Sequence, residues 1–303
     1  MNPAIEFKNV HRRFKDQPVL KGLSFQVQEG QIYGLLGRNG TGKTTALRIL
    51  LGMLQPHGGE TFVQDKESRS FGTEDRKCIG YVSEGHVFYR EFRVAKALDF
   101  EAGTRPGFDK AFALRAIHDC GFGTRKPIHQ LSRGQRAQLS LIMAIAGNPK
   151  ILIMDDPALG LDTVMRREFL DAMIDFLANR GTTVLFSSHI LSDVQRIADR
   201  VGILQSGRLV IDATMDDLQT RLQIRTWKGS ALHGISCLIG KRKMGESHEL
   251  LLLDATPEAL QQLASKGAIL SEPSTPTLEE VFIHMTTQEG KPIFRAPVEE
   301  AVV

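Results

Sequence analysis

Gly37-Arg38-Asn39-Gly40-Thr41-Gly42-Lys43-Thr44 stands behind a short apolar run, Ile32 to Leu36, and opens a segment, Thr44 to Leu54, whose apolar residues recur at helical spacing. Strand, glycine-rich turn and helix are the setting in which G-x-x-x-x-G-K-[ST] forms a phosphate cradle. The glycines let successive backbone N–H groups turn inward around phosphate oxygens. The helix that follows points its positive end at them. Lys43 would reach the β- and γ-phosphates, and Thr44 would hold Mg²⁺ through its hydroxyl. Gly37, Asn39, Gly40, Thr41, Gly42 and Thr45 belong to the same cradle.

The same kind of reading extends to either side. Ile5 to Val10 and Leu23 to Val27 alternate apolar and polar residues, as half-buried strands do. Cys78 to Ser83 predicts a further strand. Residues from about Arg93 to Gly121 predict helix, interrupted near Thr104-Arg105-Pro106-Gly107. Ser132 to Ala146 predicts another helix, with Ser132 as its N-cap and Gly147 as its stop. Ile151 to Met154, Thr182 to Phe186 and Val201 to Leu204 are compact apolar runs beside helical pattern. Strands alternating with helices predict an α/β fold with a mainly parallel sheet covered on both faces.

The chain has 303 residues, 42% hydrophobic and 24% charged, which suits one large or two modest domains. Lys and Arg total 38 against 35 acidic residues, a formal charge of +3. So small an excess gives no reason to expect nucleic acid or an anionic membrane surface as a partner. Cys78, Cys120 and Cys237 are far apart and odd in number, which argues against a disulfide framework or a cysteine metal site. The first residues, Met1 to Glu6, lack the basic region and apolar run of a secretory signal. No run of about 18 apolar residues occurs, so the chain is expected to serve a membrane only through a partner.

Ile151-Leu152-Ile153-Met154-Asp155 is an apolar strand ending in a carboxylate. Such a carboxylate holds the Mg²⁺ shell from beneath the phosphates in P-loop enzymes. Apolar strands ending in Asp are also common for no such reason. At this point kinases, GTPases and many ATPases remain open.

Leu131-Ser132-Arg133-Gly134-Gln135 narrows the choice. It resembles the signature of the ATP-binding cassette (ABC) family and, counted from Gly134, lies 21 residues before Asp155, as in that family. Ser132 and the Gly134 backbone at a helix N-terminus make an anion site, with Gln135 beside them. In the family that site completes the nucleotide site of a second cassette packed head to tail. The resemblance spans roughly residues 4 to 215. It implies a P-loop cassette over 1–220, with a helical subdomain carrying the signature over about 90–148, and ATP and Mg²⁺ as its ligands.

Further positions follow from the resemblance. Phe14 lies 23 residues before Gly37, near where the family stacks an aromatic on adenine; a core phenylalanine is the other reading. Ala158-Leu159-Gly160-Leu161-Asp162 resembles the D-loop that crosses the dimer interface. Ser187-Ser188-His189 resembles the switch-histidine segment, in which His189 would bond the γ-phosphate and the attacking water. Two positions depart from the pattern. Asp156 stands where the family has a Glu that positions or deprotonates the water, and its side chain is one methylene shorter, so either hydrolysis is slow or the backbone makes up the reach. Glu84 stands where the family usually has a Gln, and would either join the metal or be solvated.

Composition changes after about Leu218. Residues 221–289 are expected to form a small α+β domain, with Glu249 to Leu253 as strand and Pro257 to Ser265 and Thr277 to Thr286 as helices; 290–303 is expected to be a loose tail. The segment Pro276 to Thr286 is amphipathic and is similar to the closing helix of bacterial export ATPases. The resemblance therefore implies an ATP-hydrolysing export subunit, cytoplasmic and peripheral at the inner face of the cell membrane. Its partners would be a second cassette, identical or related, and separate transmembrane permease subunits. A hydrolysis-impaired, nucleotide-gated module is the alternative. A soluble relative acting on DNA or ribosomes fits worse, because the chain has one P-loop, no heptads and near-neutral charge.

Overall fold

The computed structural model describes residues 2–89, 91–177, 181–229, 232 and 234–286. The expected tail, 290–303, lies outside the described residues. The chain begins with an antiparallel hairpin, β1 (Ile5–Phe14) and β2 (Gln17–Val27). Next come β3 (Ile32–Leu36) and α1 (Lys43–Leu50), joined by the glycine-rich loop. They are followed by β4 (Gly58–Val63), β5 (Lys66–Glu67), α2 (Thr73–Arg76) and β6 (Ile79–Val82). A helical stretch contains α3 (Val94–Thr104), α4 (Lys110–Asp119) and α5 (Arg133–Ala146). The α/β pattern resumes with β7 (Ile151–Asp155), α6 (Thr163–Leu177), β8 (Thr183–Ser188), α7 (Leu191–Ile197), β9 (Arg200–Gln205), β10 (Arg208–Thr214) and α8 (Met215–Thr220).

The central sheet has the order β10-β9-β3-β8-β7-β6. Its pairs are parallel except that β10 turns back on β9. Every residue of β7 and β8 is buried, which is why both read as unbroken apolar runs rather than alternating ones. One face packs Phe169, Met173 and Val194 of α6 and α7 against Leu152, Val184 and Phe186. The other face, through Leu35, Ile153 and Leu185, meets Ala46 and Leu50 of α1 and Phe7 and Phe25 of the hairpin. The two strands expected at the start of the chain thus stay out of the parallel sheet. They join β4 and β5 in a separate antiparallel sheet, β2-β1-β4-β5, that covers α1.

The interruption expected near 104–107 falls between α3 and α4. Asp109 caps α4, its carboxylate accepting from Phe112 N at 2.8 Å. These helices bury Val94, Leu98, Ile117 and Phe122 against the Leu139 side of α5. Beyond α8 lie β11 (Leu222–Gly229), β12 (Leu238–Met244), β13 (Ser247–Leu253), α9 (Pro257–Lys266), β14 (Gly267–Ile269) and α10 (Leu278–Thr286). The strands form a third sheet, β12-β13-β11-β14. Successive residues of β13 face opposite ways. Leu250 and Leu252 pack with Trp227 and Leu263, whereas Leu251 packs with Leu222, Ile224 and the cassette-side core. Among the described residues no helix is long and apolar enough to cross a membrane.

The adjacent strands β3, β8 and β7 end in the P-loop, in Ser188 before His189, and in Asp155. Parallel alignment brings these three carboxyl ends to one rim, where ligands bind in open α/β sheets.

Candidate nucleotide-binding site

At that rim lies a cavity of about 460 Å³ lined by Asn39, Gly40, Gly42, Lys43, Thr44 and Thr45 from the loop, with Val19, Glu84, Asp155 and Asp156. Gly42 has φ 111, and a Cβ there would meet Leu20 at 2.8 Å, so the turn requires glycine. A Cβ on Gly37 would come within 2.7 Å of the Leu204 carbonyl. The Thr41 hydroxyl closes the loop on Arg38 O at 2.9 Å. Lys43 folds back over the cradle, its ammonium donating to Gly37 O at 2.7 Å and Arg38 O at 3.2 Å. Burial pulls its pKa below the ordinary lysine value, and the carboxylates of Asp156, Asp155 and Glu84 oppose that shift.

Asp155 and Asp156 form the floor. The Thr44 hydroxyl donates to Asp155 Oδ1 at 3.0 Å, and so does Ser187 Oγ at 2.8 Å. The same Ser187 oxygen accepts from Asp156 N at 2.9 Å. Asp155 Oδ2 and Asp156 Oδ1 are buried without a hydrogen-bond partner. Two unpartnered carboxylate oxygens on residues that line a cavity with Lys43 call for a ligand with donors or a cation. Asp156 has φ 43, a left-handed conformation that short Asp tolerates, and its Oδ2 lies 2.5 Å from His189 Nδ1. Ser188 Oγ accepts from Ile190 N at 3.0 Å and so fixes the turn that carries His189.

The other expected site residues lie elsewhere. Phe14 closes the β1–β2 hairpin and is 45% exposed, which excludes the core reading. Its ring lies 4.8 Å from the Arg12 guanidinium. Glu84 is exposed at the cavity rim behind β6. Ser132 caps α5, accepting from Gln135 N at 3.1 Å, while Gln135 Oε1 returns the bond to Ser132 N at 3.2 Å. Ser132 is exposed and Gly134 buried, and neither lines this cavity. A Cβ on Gly134 would meet the terminal methyl of Met165 on α6 at 2.3 Å, so a larger residue there would displace that side chain. Among the described residues, no three His, Cys, Asp or Glu side chains gather into a metal-binding group.

Ser187 and Val19 were not singled out as site residues in the sequence. Val19 has no local signature. Ser187 is recognisable only from its register opposite Asp155 across β7 and β8.

The ABC transporter family model matches residues 20–159. ABC transporter ATP-binding protein YtrB of Bacillus subtilis is 31% identical over 215 residues, covering 71% of this chain and 73% of YtrB. Nod factor export ATP-binding protein I of Rhizobium meliloti is 31% identical over 300 residues, covering 95% of this chain and 89% of its own, so that match runs through the third sheet as well. Among solved structures, an ATP-binding subunit of an ABC transporter superposes with a TM-score of 0.64 at 26% identity, over 71% of this chain and 92% of that one. A dimeric bacterial ABC transporter cassette shares the fold, with a TM-score of 0.63 at 21% identity over 70% of this chain and 98% of its own. With a P-loop, paired strand-end aspartates and a capped signature helix on a cassette fold, the chain belongs to the ATP-binding proteins of the ABC transporter family.

Proposed function

We propose that this ABC ATPase binds MgATP in the cavity, closes with a second cassette over two nucleotides, and drives export through separate membrane subunits. The observation that carries the reading is the pair of buried, unpartnered oxygens, Asp155 Oδ2 and Asp156 Oδ1, on two aspartates that line the cavity together with Lys43 and Thr44.

The residues fit Mg²⁺. Asp155 Oδ2 and the Thr44 hydroxyl are hard oxygen donors, with the Glu84 carboxylate at the rim, and phosphate oxygens and water complete such a shell. The ion would supply charge neutralisation across the β- and γ-phosphates. Lys43 exchanges its two carbonyls for phosphate oxygens. Asp156 Oδ1 accepts from the attacking water, while Oδ2 holds His189 toward the γ-phosphate. Phe14 offers adenine an exposed ring already backed by Arg12.

Ser132, Gly134 and Gln135 lie outside the chain's own cavity, which supports their serving the nucleotide of a partner cassette, identical or related. The division 1–220, with helical subdomain 90–148, and 221–289 is our reading of the domains. Placement at the inner face of the cell membrane would come through permease subunits. Export is supported by the names of the similar proteins that match over nearly the whole chain, the Nod factor export ATP-binding proteins. Asp156 in place of Glu supports a second reading, a nucleotide-gated module that leaves hydrolysis to its partner.

MgATP turnover by the purified chain, with Lys43→Ala as the blank, tests the proposal. Turnover that disappears in the blank is expected. Tight binding without turnover would favour the gated module.

A further inference from the structure

Arg166 lies in the first turn of α6, immediately after the Ala158–Asp162 segment. Its Nη2 donates to the Leu161 carbonyl at 3.1 Å. Its Nε stands 4.0 Å from Asp193 Oδ2 and is itself buried with no hydrogen-bond partner. Asp193 lies in the first turn of α7, four positions after His189, and is only 4% exposed. One guanidinium thus spans the segments that follow β7 and β8. The fixed fork of arginine suits that task, and a lysine ammonium cannot reproduce it.

We propose that Arg166 and Asp193 are positioning residues that tie the Ala158–Asp162 segment to the helix behind His189, so that closure of the dimer sets the histidine. The inference rests on the function proposed above. A buried N–H without an acceptor is unfavourable. A shift of about 1 Å would bring Nε into hydrogen-bond range of Asp193. Two discrete arrangements of one ion pair are what physical coupling between segments requires. Burial pushes the Asp193 carboxyl up, Arg166 opposes that, and the charges of Asp156 and His189 also reach it. The bridge therefore lies within electrostatic reach of Asp156 and His189.

The test is hydrogen exchange of segments 158–162 and 189–197 in the full chain, with and without MgATP, alongside turnover. In the wild type both segments are expected to gain protection together. In Arg166→Gln the P-loop is expected to keep its protection while the gain at 189–197 is lost. In that variant kcat should fall on the order of tenfold, with KM for ATP changed less than about twofold. The double variant with Asp193→Asn should be no slower than the slower single one. Coupled protection persisting in Arg166→Gln, or additive losses in the double variant, overturns the bridge. If Arg166→Gln does not fold, Arg166→Lys keeps the charge and stem and is expected to lose the coupling. A wild type without turnover overturns hydrolysis alone, because exchange still reads the bridge.

Discussion

His189 Nδ1 and Asp156 Oδ2 meet at 2.5 Å although 33 residues separate them in the chain. The contact exists because β7 and β8 are parallel neighbours whose ends stop at one level. It uses one oxygen of Asp156 and leaves the other buried and free. Asp156 itself stands in a left-handed backbone conformation, φ 43, just past the end of β7.

If Asp156 orients the water and His189 the phosphate, the two act as a unit. Asp156→Asn keeps the shape and removes the charge, so kcat should fall about 100-fold or more while ATP affinity stays within severalfold. His189→Ala should cost a similar factor, and the double variant little beyond either single one. Single-turnover kinetics with equilibrium ATP binding check this. Multiplicative losses would mean that the two residues serve separate steps.

Ser187 carries a prediction that separates support from chemistry. Its hydroxyl donates to Asp155 Oδ1 and accepts from Asp156 N, and the residue is wholly buried. Ser187→Ala leaves a buried N–H unpaired, which costs about 1–3 kcal/mol. It also frees the acid pair to shift. Urea midpoints should fall accordingly, and kcat should fall more than KM for ATP rises. An unchanged midpoint would show that water replaces the hydroxyl.

Local chemistry made the cradle legible: one octapeptide supplies its glycines, Lys43 and Thr44. Full burial made β7 and β8 legible, because a strand covered on both faces must be apolar throughout. Alternation in Ile5 to Val10 identified a strand but not its sheet, since the pattern records one buried face and not the partner. β1 also runs on to Phe14 through Arg12 and Arg13, where register shifts suspend the alternation. Ser206 and Gly207, with φ 48 and 81, form the left-handed two-residue turn of a tight hairpin, a local signal of β10 in the sequence. The Asp156–His189 contact and the role of Ser187 depend on strand order, which no single stretch of residues contains.

His86 predicts a pH effect. It is buried near the Pro157 backbone without a hydrogen bond of proper geometry, and burial pushes its imidazole down to about 4. The unfolded chain binds that proton near pH 6.5 and the folded chain only near 4. Protons therefore favour the unfolded state in between, and this stability is lost as pH falls through that window. The full difference is on the order of 3 kcal/mol. His86→Asn does not titrate and tolerates the local backbone, φ 50. Its stability should gain on the wild type as pH drops from 6.5 to about 4. Parallel acid limbs in denaturant titrations would assign the loss to other groups.

Trp227, the one tryptophan in the sequence, sits in the outer core of the third sheet, its indole N–H donating to Leu263 O at 3.2 Å. Its fluorescence therefore reports that sheet alone. The opposite face, Leu222, Ile224 and Leu251, shares one core with Val194 and Ile211, and α10 adds Leu278, Val281 and Met285. If the shared core couples the two parts into one cooperative unit, tryptophan fluorescence and far-UV circular dichroism should give the same melting midpoint. Val281→Asp buries an unpaired charge at a fully buried position of that contact. The fluorescence midpoint should then drop below the main transition. Two separate transitions in the wild type would instead mean that the shared face does not couple the sheet to the cassette, and that the sheet folds as an independent domain.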